Sequence, residues 1–332
     1  MGFIVSFFCL HRGNEGEPPD AAPYIQRMAD AMNVFDRRLV RRHRDRAAAQ
    51  LDGHDFLFRE VAERLADRLD DVTRKFPLAL DLGCHGGELA DVLGPRGGIE
   101  TLVQCDLSPA MARRAARAGR PTIAADEEYL PFAPRAFDLI LSNLSLHWVN
   151  DLPGALIQIR QSLKPDGLFL AAMLGGGTLD ELRQALLEAE LATAGGASPR
   201  VSPFADLRDA GSLLQRAGFA LPVVDGDTVT VAYRDIATLM HDLRGMGETN
   251  ATHGRPRGLA RRAVMAAASD LYRERFADRD GRLTASFQVV YLTAWAPHDS
   301  QQQALRPGSA RSRLAEALGT TEIAAGDKAR PR

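Results

Sequence analysis

Lysine is almost missing from this chain. Of its 41 basic residues only Lys75, Lys164 and Lys328 are lysines, and the arginines run along the whole length rather than gathering in one patch. That spread reads as a compositional bias and not as a binding surface. Cysteine is as scarce. Cys9, Cys84 and Cys105 are odd in number and have no paired spacing, which excludes a disulfide framework or a zinc site built on cysteine pairs. A reducing compartment follows. Charge of one sign is lacking too: 41 basic residues stand against 43 acidic ones, for a net charge of -2. No overall field draws such a chain to nucleic acid or to an anionic membrane. Partners have to be recognised locally, and no nucleic acid is expected among them.

Long hydrophobic runs are also absent. The first ten residues, MGFIVSFFCL, are apolar, but they lack a basic flank and a small-residue cleavage site and are too short to span a bilayer. They predict neither a signal peptide nor a transmembrane segment, so the expected location is cytoplasmic, with any membrane association running through a partner. Polar, Pro-containing sequence follows from His11 to Pro23, and organised patterning starts only near Met28 or Met32. Residues 1–31 are expected to be a disordered leader, or one that precedes the true start.

What the chain does have is alternation. At 332 residues and 45% hydrophobic composition it can bury one large α/β core. A helix is expected over 35–69, with Val61, Leu65 and Leu69 on one stripe. From Pro77 short apolar runs alternate with amphipathic segments: PLALDLG, TLVQCDLS, TIAAD, FDLILSN and GLFLAAML, with a helix between the last two carrying Leu152, Leu156, Ile159 and Leu163 on one face. Strands apolar throughout and separated by helices predict a parallel sheet covered on both faces. Two later strands, DTVTVAY from Asp227 and SFQVVYLTAW from Ser286, bracket a helical stretch over 235–285 that reads as a lid insertion. The expected organisation is a domain over 32–298, made of the N-terminal helix, a core over 77–234, the lid and a last strand over 286–297. A flexible tail follows over 299–332.

The first core strand ends in Asp81, and Gly83, Cys84, His85, Gly86 and Gly87 lead into a helix from Glu88. Glycines here let the backbone turn tightly and approach a ligand, and the helix start presents free N–H groups. Acidic or polar residues then recur at the ends of successive strands, where open α/β sheets bind ligands. Asp106, nineteen residues after Gly87, can accept both hydroxyls of a ribose; Asp126, twenty further on, can accept an adenine amine; Asn143 stands at the end of strand four. Each has a plainer reading. Asp106 with Ser108 and Pro109 also makes a helix N-cap, Asp126 with Glu127 and Glu128 also makes a solvated acidic turn, and Cys84 also reads as a packed apolar residue. His85 stands where the usual DxGxGxG pattern has its central glycine.

LALDLGCHGGELA, CDLSPAM, ADEEYLPF, FDLILSNLSLHWVNDLP and LKPDGLFL resemble, in order, the motifs of class I S-adenosylmethionine-dependent methyltransferases. The resemblance implies a Rossmann-like seven-stranded sheet, mostly parallel with an antiparallel last strand, helices on both faces and a helical lid. It implies S-adenosylmethionine as cofactor, held by Asp81, Gly83, Cys84, Gly87, Asp106, Leu107, Met111, Asp126, Glu127 and Asn143. A narrower resemblance covers about residues 33–310. NVFDRRLVRRHRDRAA, GGGTLDELR, SPFADLRDAGSLLQRAGF, DLRGMGETN and YLTAWAPHDSQ are similar to the family of mitochondrial complex I assembly factors that act as arginine hydroxylases. That family implies a protein partner, the iron–sulfur subunit near the quinone site of NADH:ubiquinone oxidoreductase, and in a eukaryote the mitochondrial matrix. The chain is similar more loosely to the biotin-pathway methyltransferase acting on malonyl-acyl-carrier protein.

For the substrate side, Ser142, Asn143, His147 and Trp148 follow strand four, and Arg244, Glu248 and Asn250 crowd a helix break. His147 and Trp148 are the catalytic candidates, with His147 as a base or as an orienting residue and Trp148 stacked on substrate or packed under the lid. Ser142, Arg244, Glu248 and Asn250 are the substrate-binding candidates, although the last three also read as a helix C-cap and turn. The run Arg37, Arg38, Arg41, Arg42, Arg44 and Arg46 either grips an acidic partner or forms a solvated helix face. No metal is expected, because the His241–Asp242 pair and His253 lack the spacing of two histidines and a carboxylate. Three functions remain open: modification of an arginine in the respiratory subunit, O-methylation of malonyl-acyl-carrier protein or a small acid, and a non-catalytic assembly chaperone.

Overall fold

A computed structural model describes residues 33–302 except 259, together with 309 and 313–321. The leader expected over 1–31, and much of the tail expected over 299–332, lie outside the described residues. Seven strands form one sheet: β1 Leu78–Leu82, β2 Thr101–Asp106, β3 Thr122–Ala124, β4 Phe137–Asn143, β5 Leu163–Leu174, β6 Ala220–Tyr233 and β7 Leu283–Trp295. Their order is β3-β2-β1-β4-β5-β7-β6. The first five pair in parallel, β7 runs antiparallel to β5, and β6 runs antiparallel to β7. This is the Rossmann-like, mostly parallel sheet expected of the class I methyltransferase fold.

The apolar runs explain why the sheet sits between two layers. Side chains of a strand alternate between faces, and here both faces are apolar. Leu139 and Leu141 of β4, Leu168 and Leu170 of β5, and Phe287, Val289 and Tyr291 of β7 belong to one core cluster. Ile140, Phe169, Val290 and Leu292 belong to the other. The first is covered by α2 Phe56–Asp70, α6 Asp180–Ala194 and α9 Arg262–Phe276; the second by α5 Leu152–Ser162 and α7 Leu207–Arg216. The remaining helices are α1 Arg37–Ala47, α3 Glu88–Leu93, α4 Pro109–Ala115 and α8 Ile236–Met246. From His298 a separate unit begins, in which α10 Leu314–Ala317 is described. Among the described residues no helix is long and apolar enough to cross a membrane.

Four features differ from expectation. The helix expected over 35–69 is two helices, α1 and α2, separated by a 3-10 turn at Leu51–Gly53. Gly53 and Asp55 interrupt the stripe there, and Asp36 starts α1 by accepting the N–H of Leu39 at 3.0 Å, as an N-cap does. The lid expected over 235–285 is mostly part of the covering layer. Val264, Ala268 and Tyr272 of α9 are buried in the core, and the Tyr272 hydroxyl donates to the carbonyl of Thr284 at 2.9 Å. The last strand begins at Leu283 and not at 286, and β6 begins at Ala220, seven residues before Asp227. Helix α8 reaches the α1–α2 connection through Gly245, where a Cβ would lie 2.2 Å from the His54 ring.

Candidate cofactor and substrate site

The C-terminal edge of the parallel strands carries the turn from Asp81 to Gly87. Gly83 has φ +72, and a Cβ on it would meet Ser145 Oγ at 2.1 Å, so glycine is demanded both by backbone and by space. His85 also takes positive φ, +48, which a histidine tolerates better than most residues. Its ring stacks on Phe58 with centroids 4.2 Å apart, and its Nε2 lies 3.2 and 3.1 Å from the carbonyls of Asn143 and Leu144. Burial, then the nearby Arg44 charge, holds this imidazole down to about 3. The departure from the glycine pattern is thus a packed residue that ties the turn to the end of β4.

Asp81, Asp106, Asp126 and Glu127 do converge at this edge, and they do not converge alone. Two arginines of α1, seven residues and two helical turns apart, enter among them. Arg44 is fully buried and donates to Glu127 at 2.9 Å, to Asp106 at 3.3 Å and to Ser145 Oγ at 2.9 Å. Arg37 pairs with Asp126 and Glu127. Burial would push the Glu127 carboxyl up, but Arg37 and Arg44 outweigh it and hold it well below the usual range. Asp106 is raised to about 6 by burial, against the pull of Arg44. Its Oδ1 accepts the Ser108 N–H at 2.7 Å and its Oδ2 the His85 N–H at 3.1 Å, while Ser108 caps α4 by accepting the Met111 N–H. The N-cap reading of the Asp106–Ser108 pair therefore holds. The basic run splits by face: Arg38, Arg41 and Arg42 are exposed, and Arg37 and Arg44 turn inward. Sequence reasoning assigned neither Arg37 nor Arg44 to the site; the signal was their seven-residue spacing.

Asp81 accepts from Gln104 Nε2 at 3.2 Å through Oδ2, whereas its Oδ1 is buried without a partner. Burial raises this carboxyl to about 7. Asn143 Nδ2 donates to the carbonyl of Phe58 at 2.8 Å, and its Oδ1 is likewise buried and unpartnered. Of the other candidates at this edge, Cys84 and Met111 are buried and Leu107 is half-buried. Ser142 faces inward and donates to the carbonyl of Leu82 at 2.8 Å.

The second half of the site lies beyond β4. The 3-10 turn Leu146–Trp148 presents His147 and Trp148 to Glu248, which follows the Gly247 cap of α8. His147 Nε2 and Trp148 Nε1 each lie 2.9 Å from Glu248 Oε2. His147 Nδ1 accepts the Leu174 N–H at 3.3 Å, so the ring donates from Nε2. Phe204 meets both rings edge-on. Burial pushes the Glu248 carboxyl up, and His147 and Arg44 pull it below its ordinary value. Its Oε1 is buried with no hydrogen-bond partner. A buried carboxylate oxygen left unsatisfied is costly, and Glu248 is among the residues that line a cavity.

That cavity holds 490 Å³ and is lined by Glu248, Asn250, Arg244, Arg46 and Phe204, over an apolar wall that includes Leu182, Leu243 and Phe287. None of the expected cofactor-binding residues lines it. Asn250 is engaged on both ends, accepting from Thr252 and Ser202 and donating to the carbonyl of Pro199. The structure thus brings His147, Trp148 and Glu248 together, sets Arg244 and Asn250 on the same cavity, and leaves Ser142 apart. Asp242 of the weighed His241–Asp242 pair is occupied by His54 at 2.8 Å. Among the described residues no three His, Cys, Asp or Glu side chains gather as metal ligands.

A mostly parallel sheet with this strand order, a glycine turn after β1 and carboxylates along the strand ends define the methyltransferase fold. A methyltransferase domain is matched over residues 80–171. Arginine-hydroxylase NDUFAF5, mitochondrial, of Danio rerio is 46% identical over 289 residues, covering 86% of this chain and 89% of that protein. The Homo sapiens protein of the same name is 46% identical, covering 84% and 81%. The malonyl-[acyl-carrier protein] O-methyltransferase of Halorhodospira halophila is 38% identical, covering 85% and 95%. The chain belongs to the NDUFAF5 family within the methyltransferase-domain proteins. The NDUFAF5 relatives are named as mitochondrial proteins, which overturns the cytoplasmic expectation drawn from cysteine usage and the missing leader signals; both are silent about which reducing compartment a chain enters.

S-adenosylmethionine is the cofactor that this domain brings, and the residues fit it. Its ammonium and sulfonium charges suit an edge rich in carboxylates, and two buried acceptors, Asp81 Oδ1 and Asn143 Oδ1, stand unpartnered at the ends of the neighbouring strands β1 and β4. A ribose at Asp106 would share that carboxylate with Arg44.

Proposed function

We propose that the chain holds an arginine side chain of a protein substrate at Glu248 and modifies it with S-adenosylmethionine bound across the β1–β4 edge, as a step in assembling respiratory complex I. One observation carries the reading: Glu248 lines a cavity and its carboxylate has one buried oxygen, Oε1, without a donor. A guanidinium offers planar N–H donors matched to a carboxylate. His147 and Trp148 fix the other oxygen of Glu248, so they position the carboxylate, and Arg244 and Asn250 line the approach.

The cofactor residues in this reading are Asp81, Gly83, Cys84, Gly87, Asp106, Leu107, Met111, Asp126, Glu127 and Asn143. Bound S-adenosylmethionine supplies an activated methyl group. The chain supplies alignment, which alone is worth orders of magnitude in rate, and Phe204, packed edge-on against the buried Trp148, stands in the cavity lining. The family name arginine hydroxylase favours arginine as the side chain; which group is added is read from the product.

Purified protein would be incubated with labelled S-adenosylmethionine and either the iron–sulfur subunit beside the quinone site or malonyl-acyl-carrier protein. A methyl group gained on an arginine of the subunit supports the reading, with loss of the gain in Glu248→Gln; an oxygen gained there instead would overturn methyl transfer from S-adenosylmethionine while keeping the arginine as target. Label on malonyl-acyl-carrier protein alone would overturn it in favour of O-methylation. Tight binding to the subunit with no modification would overturn it in favour of a chaperone.

A further inference from the structure

The cavity beside Glu248 contains more positive charge than its walls neutralise. Arg200 pairs with Glu190, and Arg255 donates to the carbonyl of Thr252 and lies 3.9 Å from Asp36. Arg257 also lines the cavity, without an ion pair among the described residues, but is exposed to solvent; Arg46 and Arg244 are the two that act on each other. Both line the cavity, and among the described residues neither has a carboxylate within ion-pair distance. Arg46 Nε and Nη2 are buried with no hydrogen-bond partner. The lining carboxylate, Glu248, has one oxygen committed to His147 and Trp148.

Arg244 is exposed and Arg46 partly buried, and two like charges facing one cavity, one of them with buried N–H groups unanswered, are unfavourable as they stand. A buried N–H taken from water without a partner is unfavourable. Burial, and after it the Arg244 charge, lowers the Arg46 guanidinium from its ordinary value. An anion lying between the two would satisfy the N–H groups and remove the repulsion together. The apolar wall of Leu182, Leu243 and Phe287 asks that this anion be carried on a body with apolar surface, which a folded-out protein segment has and an inorganic ion lacks.

We propose that an acidic side chain of the protein substrate, close in sequence to the target arginine, docks between Arg46 and Arg244. The inference rests on the proposed function, because it takes Glu248 as the seat of the target. The substrate segment is then read twice, by a carboxylate that receives its arginine and by an arginine pair that receives its carboxylate. Such two-signed recognition discriminates better than either contact alone, since a segment lacking one charge leaves a buried partner unpaired.

Full-length protein would be titrated with synthetic fluorescent peptides bearing one central arginine and a single glutamate walked outward on either side, each matched to its glutamine version. One glutamate position should tighten binding by about tenfold, the range of a charge-assisted hydrogen bond, and Arg46→Gln or Arg244→Gln should abolish that gain, so that the glutamate and glutamine versions bind the variant equally. Equal binding of all glutamate and glutamine pairs overturns the proposal without using any protein variant. So does a gain that survives both substitutions, or competition by succinate that matches the best peptide, which would assign the pair to a small acid. Replacing the central arginine by glutamine reads on Glu248 alone: loss of the glutamate effect is tested at Arg46, and loss of the arginine effect at Glu248, so the two failures are distinguishable.

Discussion

Arg44 and Glu127, 83 residues apart in the chain, form a fully buried ion pair at 2.9 Å, with Asp106 as a second acceptor at 3.3 Å. The pair welds α1 to the ligand edge of the sheet. It also makes Arg44 a competitor for the carboxylate that a ribose would use.

Removing one member of such a cluster exposes the others. Arg44→Met leaves Asp106 and Glu127 buried without their shared counter-charge, a change that costs roughly 3–5 kcal/mol in buried pairs. Urea unfolding at neutral pH should show a loss of that order, and an unchanged midpoint would mean the pair is not formed in solution.

Asp106→Asn tests the ribose placement with little change of shape. An amide oxygen can still accept one of the Ser108 and His85 N–H bonds, but it no longer accepts from two hydroxyls. Calorimetry should report S-adenosylmethionine affinity lowered by at least about tenfold, the worth of a hydrogen bond to a charged group. Equal affinity would remove Asp106 from the cofactor site.

Asp81 gives stability a pH dependence with a defined sign. Its carboxyl is raised by burial from the ordinary 3.8 to about 7, so the folded state holds its proton more tightly than the unfolded chain. The resulting stability is present below pH 3.8 and is lost as pH rises through about 7, by proton linkage. Denaturation of wild type and Asp81→Asn across that window should show the variant gaining on wild type as pH rises. A constant difference would mean Asp81 is not buried as a titrating group.

Gly245→Ala checks the seam between α8 and the α1–α2 connection. Its Cβ would stand 2.2 Å from the His54 ring, and overpacking of that kind costs about 1–3 kcal/mol. A lower melting temperature in Gly245→Ala, relieved by adding His54→Ala, is expected; a melt identical to wild type would show that the seam has slack.

The five parallel strands, the glycine turn, the carboxylate ladder at Asp81 and Asp106 and the apolar face of α5 were all legible in the chain, because each follows from local periodicity or from a turn residue at its own position. A strand apolar on both faces is buried wherever it lies, and residues at its C-terminal end meet the ligand edge of any open parallel sheet. Tertiary structure alone decided the rest. Arg37 and Arg44 look like neighbours of Arg38 and Arg42 until helix phase and packing turn one pair inward. Glu248 becomes a held carboxylate only because α8 brings it against His147, 101 residues earlier. Ion pairs and hydrogen bonds of that sequence separation leave no local pattern, since their strength comes from the burial that the finished fold imposes on both partners.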